Sequence, residues 1–280
     1  MPRSLAAALL ALLVSTPLVS AHGQRVLLQI KPGVGDTLHT RLEQAVEVTG
    51  TMRVGNADSS LSTVTSLRLH SRVIVQRSDA GGTTVLAITD SVTLTSEPPQ
   101  LPQITLDQVQ RALRGQQVRM RIAPDGAAEI LTGTEGFLPE IQSLMSQMPP
   151  TLPDRRIAIG ERWVQDMELP AGRPDLTGPL SLKATLRLDS LSRDRRMAYI
   201  SVRGDLSRTE SQLRLPGGGQ YRMTGVLRGQ LIVDRDRGWM MESSSELSVS
   251  SIIEPPPGAE GEPMHLQMRI TQRMWTLDKR

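Results

Sequence analysis

The stretch LSLKATLRLDS, residues 180–190, decides the fold class. Leucine or alanine stands at every second position from Leu180 to Leu188, and polar or charged residues stand between them. Successive side chains of a β-strand point to opposite faces of a sheet, so this alternation predicts a strand with one apolar and one charged face. A sheet with one solvent-exposed face is normally antiparallel.

The same alternation recurs in four other stretches, which we interpret as further strands. They are TLHTRLEQAVEV (37–48), TSLRLHSRVIVQR (65–77), TVLAITDSVTL (84–94) and HLQMRITQRM (265–274). The residues placed together on one face of each are Leu38, Leu42, Val46 and Val48; Thr65, Leu67, Leu69, Ser71, Val73 and Val75; Leu86, Ile88, Val92 and Leu94; and Leu266, Met268, Ile270 and Met274.

Turn signals separate the predicted strands. Asp-Gly and Gly-Gly pairs supply the positive φ that tight hairpins require, and they occur in SDAGGTT (78–84), APDGAA (123–128) and LPGGGQ (215–220). LIVDRDRGWMME (231–242) fits this series as a hairpin corner, with Asp234 or Asp236 bonding to the backbone and Gly238 in the left-handed conformation. A calcium loop is the alternative, but its twelfth position is a serine and no helices flank it.

Two short helices interrupt the strands in this prediction. TLDQVQRALRG (105–115) begins at a possible N-cap, Thr105, and ends at a glycine, while TEGFLPEIQSLMSQMPP (134–150) carries one apolar stripe. We expect both helices on the concave face of a large, curved, half-barrel-like antiparallel sheet, where they either complete a packed core or cap a ligand cavity. The predicted ligand-lining residues are Leu42, Val46, Leu67, Leu69, Ile141, Leu144, Met145, Leu182, Leu186, Met268 and Ile270.

The N-terminus predicts export. Residues 1–21 combine an early positive charge, a short apolar run and the small residues Val19-Ser20-Ala21, which is the pattern of a cleavable signal peptide. Residues 22–280 then form one β-rich domain. A weak internal similarity between LRLHS (67–71) and LRLDS (186–190) suggests two similar halves, 22–148 and 149–280.

Composition argues against several functions. The chain has no cysteine, so disulfides, thiolate metal sites and a lipid-anchor cysteine are excluded. Net charge is only +3 and aromatic residues make up 2% of the chain, which argues against nucleic-acid binding. No catalytic motif, cofactor signature or membrane-spanning helix is recognisable, and His22, His39, His70 and His265 show no metal-ligand spacing. We interpret Trp163, Trp239 and Trp275 as core anchors rather than as a ligand-stacking surface.

Three stretches resemble a known group of proteins. They are IKPGVGDT (30–37), VRMRIAPDGAAEI (118–130) and LPDRRIAIGERWVQD (152–166), which look like an uncharacterised family of exported bacterial β-rich proteins. The resemblance implies an envelope location and a large antiparallel sheet, and it carries no catalytic residues. The predicted architecture is also distantly similar to that of periplasmic lipoprotein carriers, as a fold-level analogy.

These observations lead to two functional hypotheses. The first is a non-enzymatic exported protein, periplasmic or extracellular, that binds a hydrophobic ligand or lipid-like moiety in a β-sheet cavity. The second is a structural or assembly module of the cell envelope that binds protein partners through its sheet edges.

Overall fold

The structure is a computed structural model that describes residues 25–54, 57–98, 103–133, 147–148, 151–169, 180–208, 213–214, 220–255, 258 and 262–277. One helix is described, α1 (Gln103–Leu113). The described strands are β1 (Thr37–Val54), β2 (Ala57–Asp79), β3 (Gly82–Glu97), β4 (Gln117–Ile122), β5 (Ala128–Thr132), β6 (Gln147–Met148), β7 (Arg162–Leu169), β8 (Leu180–Leu191), β9 (Met197–Arg208), β10 (Leu213–Arg214), β11 (Gln220–Asp234), β12 (Trp239–Glu254) and β13 (Met264–Leu277).

All of these strands belong to one antiparallel sheet. Its order is β6-β5-β4-β3-β2-β1-β13-β12-β11-β9-β8-β7, and β10 pairs beside β11. Strands that are adjacent in the sheet are also consecutive in the sequence, if β10 is left aside. The exception is the centre of the sheet, where β1 pairs with β13. The strands up to β6 therefore lie on one side of this central pair, and those from β7 onward lie on the other.

The connection between the two edge strands forces the sheet to curve. β6 and β7 lie at opposite edges, yet only residues 149–161 separate them. A flat sheet of this many strands would hold its edges roughly 53 Å apart, whereas a fully extended connection of this length reaches at most about 50 Å. The described part of the connection also contains turns. The predicted open, curved antiparallel sheet is therefore confirmed.

The apolar face of the sheet lies inside the curve, and its main core fills one end of the sheet, which we call the closed end. A single buried cluster there joins residues of β1–β3, such as Val75 and Val85, to residues of β8–β11, such as Leu188 and Val233. Two stretches without regular secondary structure complete this core, residues 25–36 (the N-terminal segment) and residues 151–161 (the edge connection). They contribute the buried side chains Val26, Leu28, Ile30, Leu152 and Ile157.

Backbone hydrogen bonds attach the N-terminal segment to elements that are far apart in the sequence. Val26 and Ile157 exchange two N–H···O bonds of 2.8 and 2.9 Å, which tie it to the edge connection. The N–H of Lys31 donates to the carbonyl of Gly238 at 2.8 Å, at the β11–β12 corner. Full burial of a leucine or isoleucine such as Leu28 or Ile157 contributes about 1.5–3 kcal/mol, so the segment acts as an internal brace.

The β11–β12 corner is the predicted hairpin turn. Asp234 is fully buried and accepts the backbone N–H groups of Asp236 and Arg237, each at 3.0 Å. Gly238 has a φ of 60°, and a Cβ there would lie 2.6 Å from the carbonyl oxygen of Lys31. The turn interpretation is confirmed for Asp234 and Gly238.

A β-bulge corrects one predicted strand face. Ser91 pairs with His70 but Thr89 pairs with Ser71, so Asp90 is an extra residue in β3. Each single-residue bulge exchanges the two faces beyond it. Val92 and Leu94 therefore lie on the apolar face as predicted, whereas the prediction for Leu86 and Ile88 was wrong, because both lie on the polar face.

The helix predictions have different outcomes. The first helix is confirmed as α1, but the prediction of Thr105 as its N-cap was wrong, because the helix begins at Gln103. It lies beside β3, where Gly115 donates to the carbonyl of Thr89 at 2.8 Å. The second lies outside the described residues except for Gln147–Met148, which form strand β6 rather than a helical turn. Within the described ranges, no helix has the length and hydrophobicity that a membrane crossing requires.

Candidate functional site

Strand register places the predicted ligand-lining residues of the sheet on one face. Directly opposed residues of antiparallel strands share a face, and Leu42 opposes Leu69, while Val46 opposes Ile270. A continuous row runs through Val48, Met268, Val249, Gly225, Leu206 and Leu182. By the same registers, Leu67 of β2 and Leu186 of β8 also lie on this face. The other three predicted residues, Ile141, Leu144 and Met145, lie outside the described residues.

The two halves of this apolar face differ in burial. Leu182 and Leu186 are buried, with 6% and 3% of their surface exposed. The members on β1, β2 and β13 are only half-buried; they are Leu42, Val46, Leu67, Leu69, Met268 and Ile270. A second apolar cluster around Leu182, Leu206 and Val249 consists only of strand residues within the described part of the chain. On β1, β2 and β13, the apolar face is therefore partly accessible.

A hollow of about 150 Å³ lies in the apolar face between the two clusters. Its apolar walls are Leu186, Val202, Leu227 and Leu231, and Thr151 of the edge connection also lines it. An apolar cavity of about this volume accommodates one benzene-sized group, which is less than a complete drug-sized ligand needs. The hollow suits one apolar end of a longer molecule.

Small residues in the leucine-rich pattern create the hollow. Ala184, Gly229 and Ser245 line it, and so does Ser243 beside Ser245, whereas Leu186 and Leu231 next to Ala184 and Gly229 are large. A Cβ on Gly229 would lie 2.6 Å from the carbonyl oxygen of Ser244, so the strand packing itself excludes a side chain there. The sequence prediction missed these residues, although small residues on an otherwise leucine-rich strand face are a readable signal.

A polar row continues from the hollow across the apolar face. Gly229 opposes Ser245, Ser245 opposes Gln272, and Gln272 opposes Gln44. No side-chain hydrogen bond joins these two glutamines or Ser245 to another described residue. Amide and hydroxyl groups that lie next to an apolar hollow can orient a ligand with one polar end.

The opposite, polar face is held by ion pairs and one tryptophan. Trp275 is half-buried between two guanidinium groups, Arg273 at 4.5 Å and Arg41 at 5.5 Å from the ring centroid. Hydrogen bonds from Arg41 and Arg68 outweigh desolvation and lower the pKa of Glu43 below its usual value. The core-anchor prediction therefore holds for the buried Trp163 and Trp239 and was wrong for Trp275.

Broad grooves also mark the polar face. Two of them, of about 620 and 670 Å³, run along β12 with walls from β1 and β9, and a third of about 510 Å³ crosses β7–β11. His39, His70 and His265 share this face but lie at different levels of the sheet. Across the described ranges, no group of three histidines or carboxylates has a metal-binding arrangement.

Comparisons with known proteins give a structural likeness but no family. No protein-family model matches the chain, and no curated protein matches it. Among solved structures, it is similar to a chain from a structure titled "Lipid-protein interactions in lipovitellin", with a TM-score of 0.44 and 12% identity. The match covers 89% of this chain but 25% of the other, so this chain spans a quarter of that protein's length. At this identity and TM-score, the match assigns neither a family nor a ligand to this chain.

Proposed function

We propose that the protein is a non-enzymatic binder of an amphipathic, lipid-like molecule, which lies along the apolar face of the sheet. The hollow and its polar row are the observation that carries this proposal. The hollow takes an apolar end between Leu186 and Leu227, and the polar row presents unused hydrogen-bonding groups on the same face. The half-buried leucines of β1 and β2 extend the apolar contact along the ligand.

The proposal includes export, to a periplasmic or extracellular location. It rests on the signal-peptide pattern of residues 1–21 and on the resemblance to exported bacterial proteins. Cell fractionation of the full chain tests it: a product about twenty residues shorter in the soluble envelope fraction is expected from that pattern. A full-length product in the cytoplasm would refute this part alone.

Filling the hollow tests ligand binding. Ser245→Phe places a ring among the hollow's apolar walls, whereas Ser248→Phe places the same ring on the polar face of the same strand. Titration with the fluorescent fatty acid cis-parinaric acid should show about tenfold weaker binding for Ser245→Phe, which corresponds to a loss of about 1.4 kcal/mol. Ser248→Phe should bind as the unmodified protein does.

Two ligands that differ only in having a polar end test the polar row. Gln44→Leu combined with Gln272→Leu should weaken binding of cis-parinaric acid but not of a hydrocarbon of similar length, because only the acid has a polar end to lose. Equal binding of the acid by all variants would refute the site. Recovery of a cross-linked protein partner at β7, with no bound lipid in mass spectrometry of extracts, would favour the envelope-assembly function instead.

A further inference from the structure

Two pairs of arginines oppose each other directly on the polar face. Arg162 of β7 pairs in register with Arg187 of β8, and Arg203 of β9 pairs with Arg228 of β11. Like charges in directly opposed positions destabilise a sheet. Arginine stays protonated at any ordinary pH, so this repulsion is permanent. A surface needed only for solubility gains nothing from such an arrangement.

The four arginines line one groove, the 510 Å³ groove that crosses β7–β11. Among the described residues that line it, Asp205 is the only acidic one. Arg187 forms an ion pair of 3.6 Å with Asp189 outside the groove. The other three side chains are exposed and have no hydrogen bond or ion pair to another described residue. Glu246 of β12 directly opposes Arg228 but forms no ion pair with it, so the lining of the groove keeps an excess of positive charge.

We propose that this groove binds a compact group with two phosphates, independently of the apolar face on the other side of the sheet. The planar guanidinium fork matches phosphate oxygens in a bidentate geometry. The four arginines keep a net positive charge after Asp205 and Asp189 are counted against them, and two phosphate groups carry roughly three to four negative charges near neutral pH. The arginines span three strand spacings, about 14 Å, which is wider than one phosphate requires.

Calorimetry with pyrophosphate tests the groove. The full chain should bind pyrophosphate more tightly than phosphate or sulfate, and added salt should weaken binding. The double variant Arg203→Gln/Arg228→Gln should bind it at least about tenfold more weakly. The control is Arg119→Gln/Arg193→Gln, which removes the same charge from two exposed arginines outside the groove, and it should bind pyrophosphate as the unmodified chain does.

Stability of the free protein gives a second readout. Arg203→Gln removes one like-charge pair and should raise Tm, while it lowers affinity for pyrophosphate. Arg203→Lys/Arg228→Lys keeps the charge and the fold but loses the bidentate fork, and it should bind with intermediate affinity. A merely structural role for these arginines predicts a lower Tm on substitution.

A vesicle-binding assay distinguishes a lipid headgroup from a soluble ligand as the source of the phosphates. Phosphatidylcholine vesicles with a minor fraction of cardiolipin present two phosphates on a lipid headgroup. Arginine-dependent binding of these vesicles without pyrophosphate binding assigns the groove to a headgroup, and the reverse assigns it to a soluble ligand. Failure of both probes, equal losses in the groove and control variants, or tighter arginine-dependent binding of an RNA oligomer would overturn the proposal.

Discussion

Replacing Asp234 by asparagine tests the electrostatics of the β11–β12 corner. The Asp234 carboxylate is fully buried and accepts two hydrogen bonds from Arg196, at 2.7 and 2.9 Å, besides the two backbone N–H groups of the turn. An asparagine oxygen can still accept the backbone bonds. Its amide group, however, turns a donor toward the guanidinium, so both charge-assisted bonds are lost.

The expected cost is about 2 kcal/mol. Hydrogen bonds to charged groups contribute about 1.5–3 kcal/mol each, but the Arg196 side chain is 42% exposed, so water recovers part of the loss. Asp234→Ala also leaves the N–H groups of Asp236 and Arg237 without their acceptor, and should cost about 4 kcal/mol. The exposed neighbour provides the control, because Asp236→Asn should change stability by less than about 0.5 kcal/mol.

The pH dependence has a definite sign. Burial raises the pKa of Asp234, but the hydrogen bonds and charge of Arg196 and the backbone N–H groups outweigh burial and lower it below its usual 3.8. A lowered folded-state pKa gives stability that is complete above the unfolded value of about 3.9 and is lost as pH falls through the folded value. The difference between the unmodified protein and Asp234→Asn should therefore be constant from neutral pH to about pH 5 and shrink below about pH 4.

Urea denaturation followed by circular dichroism measures these differences, and a thermal scan should show a Tm lower by roughly 4–8 °C for Asp234→Asn. A loss of stability in Asp236→Asn as large as in Asp234→Asn would refute the assignment of the corner. So would a difference between Asp234→Asn and the unmodified protein that does not change between pH 6 and about pH 3.

Two further substitutions test the closed end of the sheet. Leu188→Ala removes a fully buried side chain of the main core and should lower the unfolding free energy by about 3 kcal/mol. The control Val226→Ala, at a 44% exposed position, should change it by less than about 0.5 kcal/mol. Equal urea midpoints of the two variants would contradict the core assignment. Gly238→Ala adds a collision with the carbonyl of Lys31 to the strain of a positive φ, while Gly35→Ala adds strain alone because no atom lies near its Cβ position. Gly238→Ala should therefore be the more destabilising by about 1–3 kcal/mol and should speed hydrogen exchange at the Lys31 N–H, and equal effects would contradict the packing of the N-terminal segment.

The sheet could be read from the sequence because its signal is local. Alternation in LSLKATLRLDS fixes which residues share a face, and the register confirms this for Leu182, Ala184, Leu186 and Leu188. Hairpin turns are equally local, since aspartate and glycine at the β11–β12 corner specify the turn by themselves. The eight predicted ligand-lining residues within the described sheet share one face for the same reason.

The remaining features depend on pairing between distant residues. A single extra residue, Asp90, exchanges the faces of β3, and alternation alone carries no signal for its position. Val26, Leu28 and Ile30 alternate like a strand, but their role as a brace depends on the distant partner Ile157. The arginine pairs of the polar groove follow from registers between β7 and β8 and between β9 and β11, which the sequence does not display.

The pairing of β1 with β13 has a consequence for biosynthesis. His39 opposes Leu277, so the seam at the middle of the sheet joins residues from opposite ends of the chain. Local hairpins can form as the ribosome extends the polypeptide, but β1 keeps an open hydrogen-bonding edge until β13 has been translated. Contacts this distant in sequence make folding slow. Nascent chains that stop short of β13 should therefore be the forms most prone to aggregate and most dependent on chaperones.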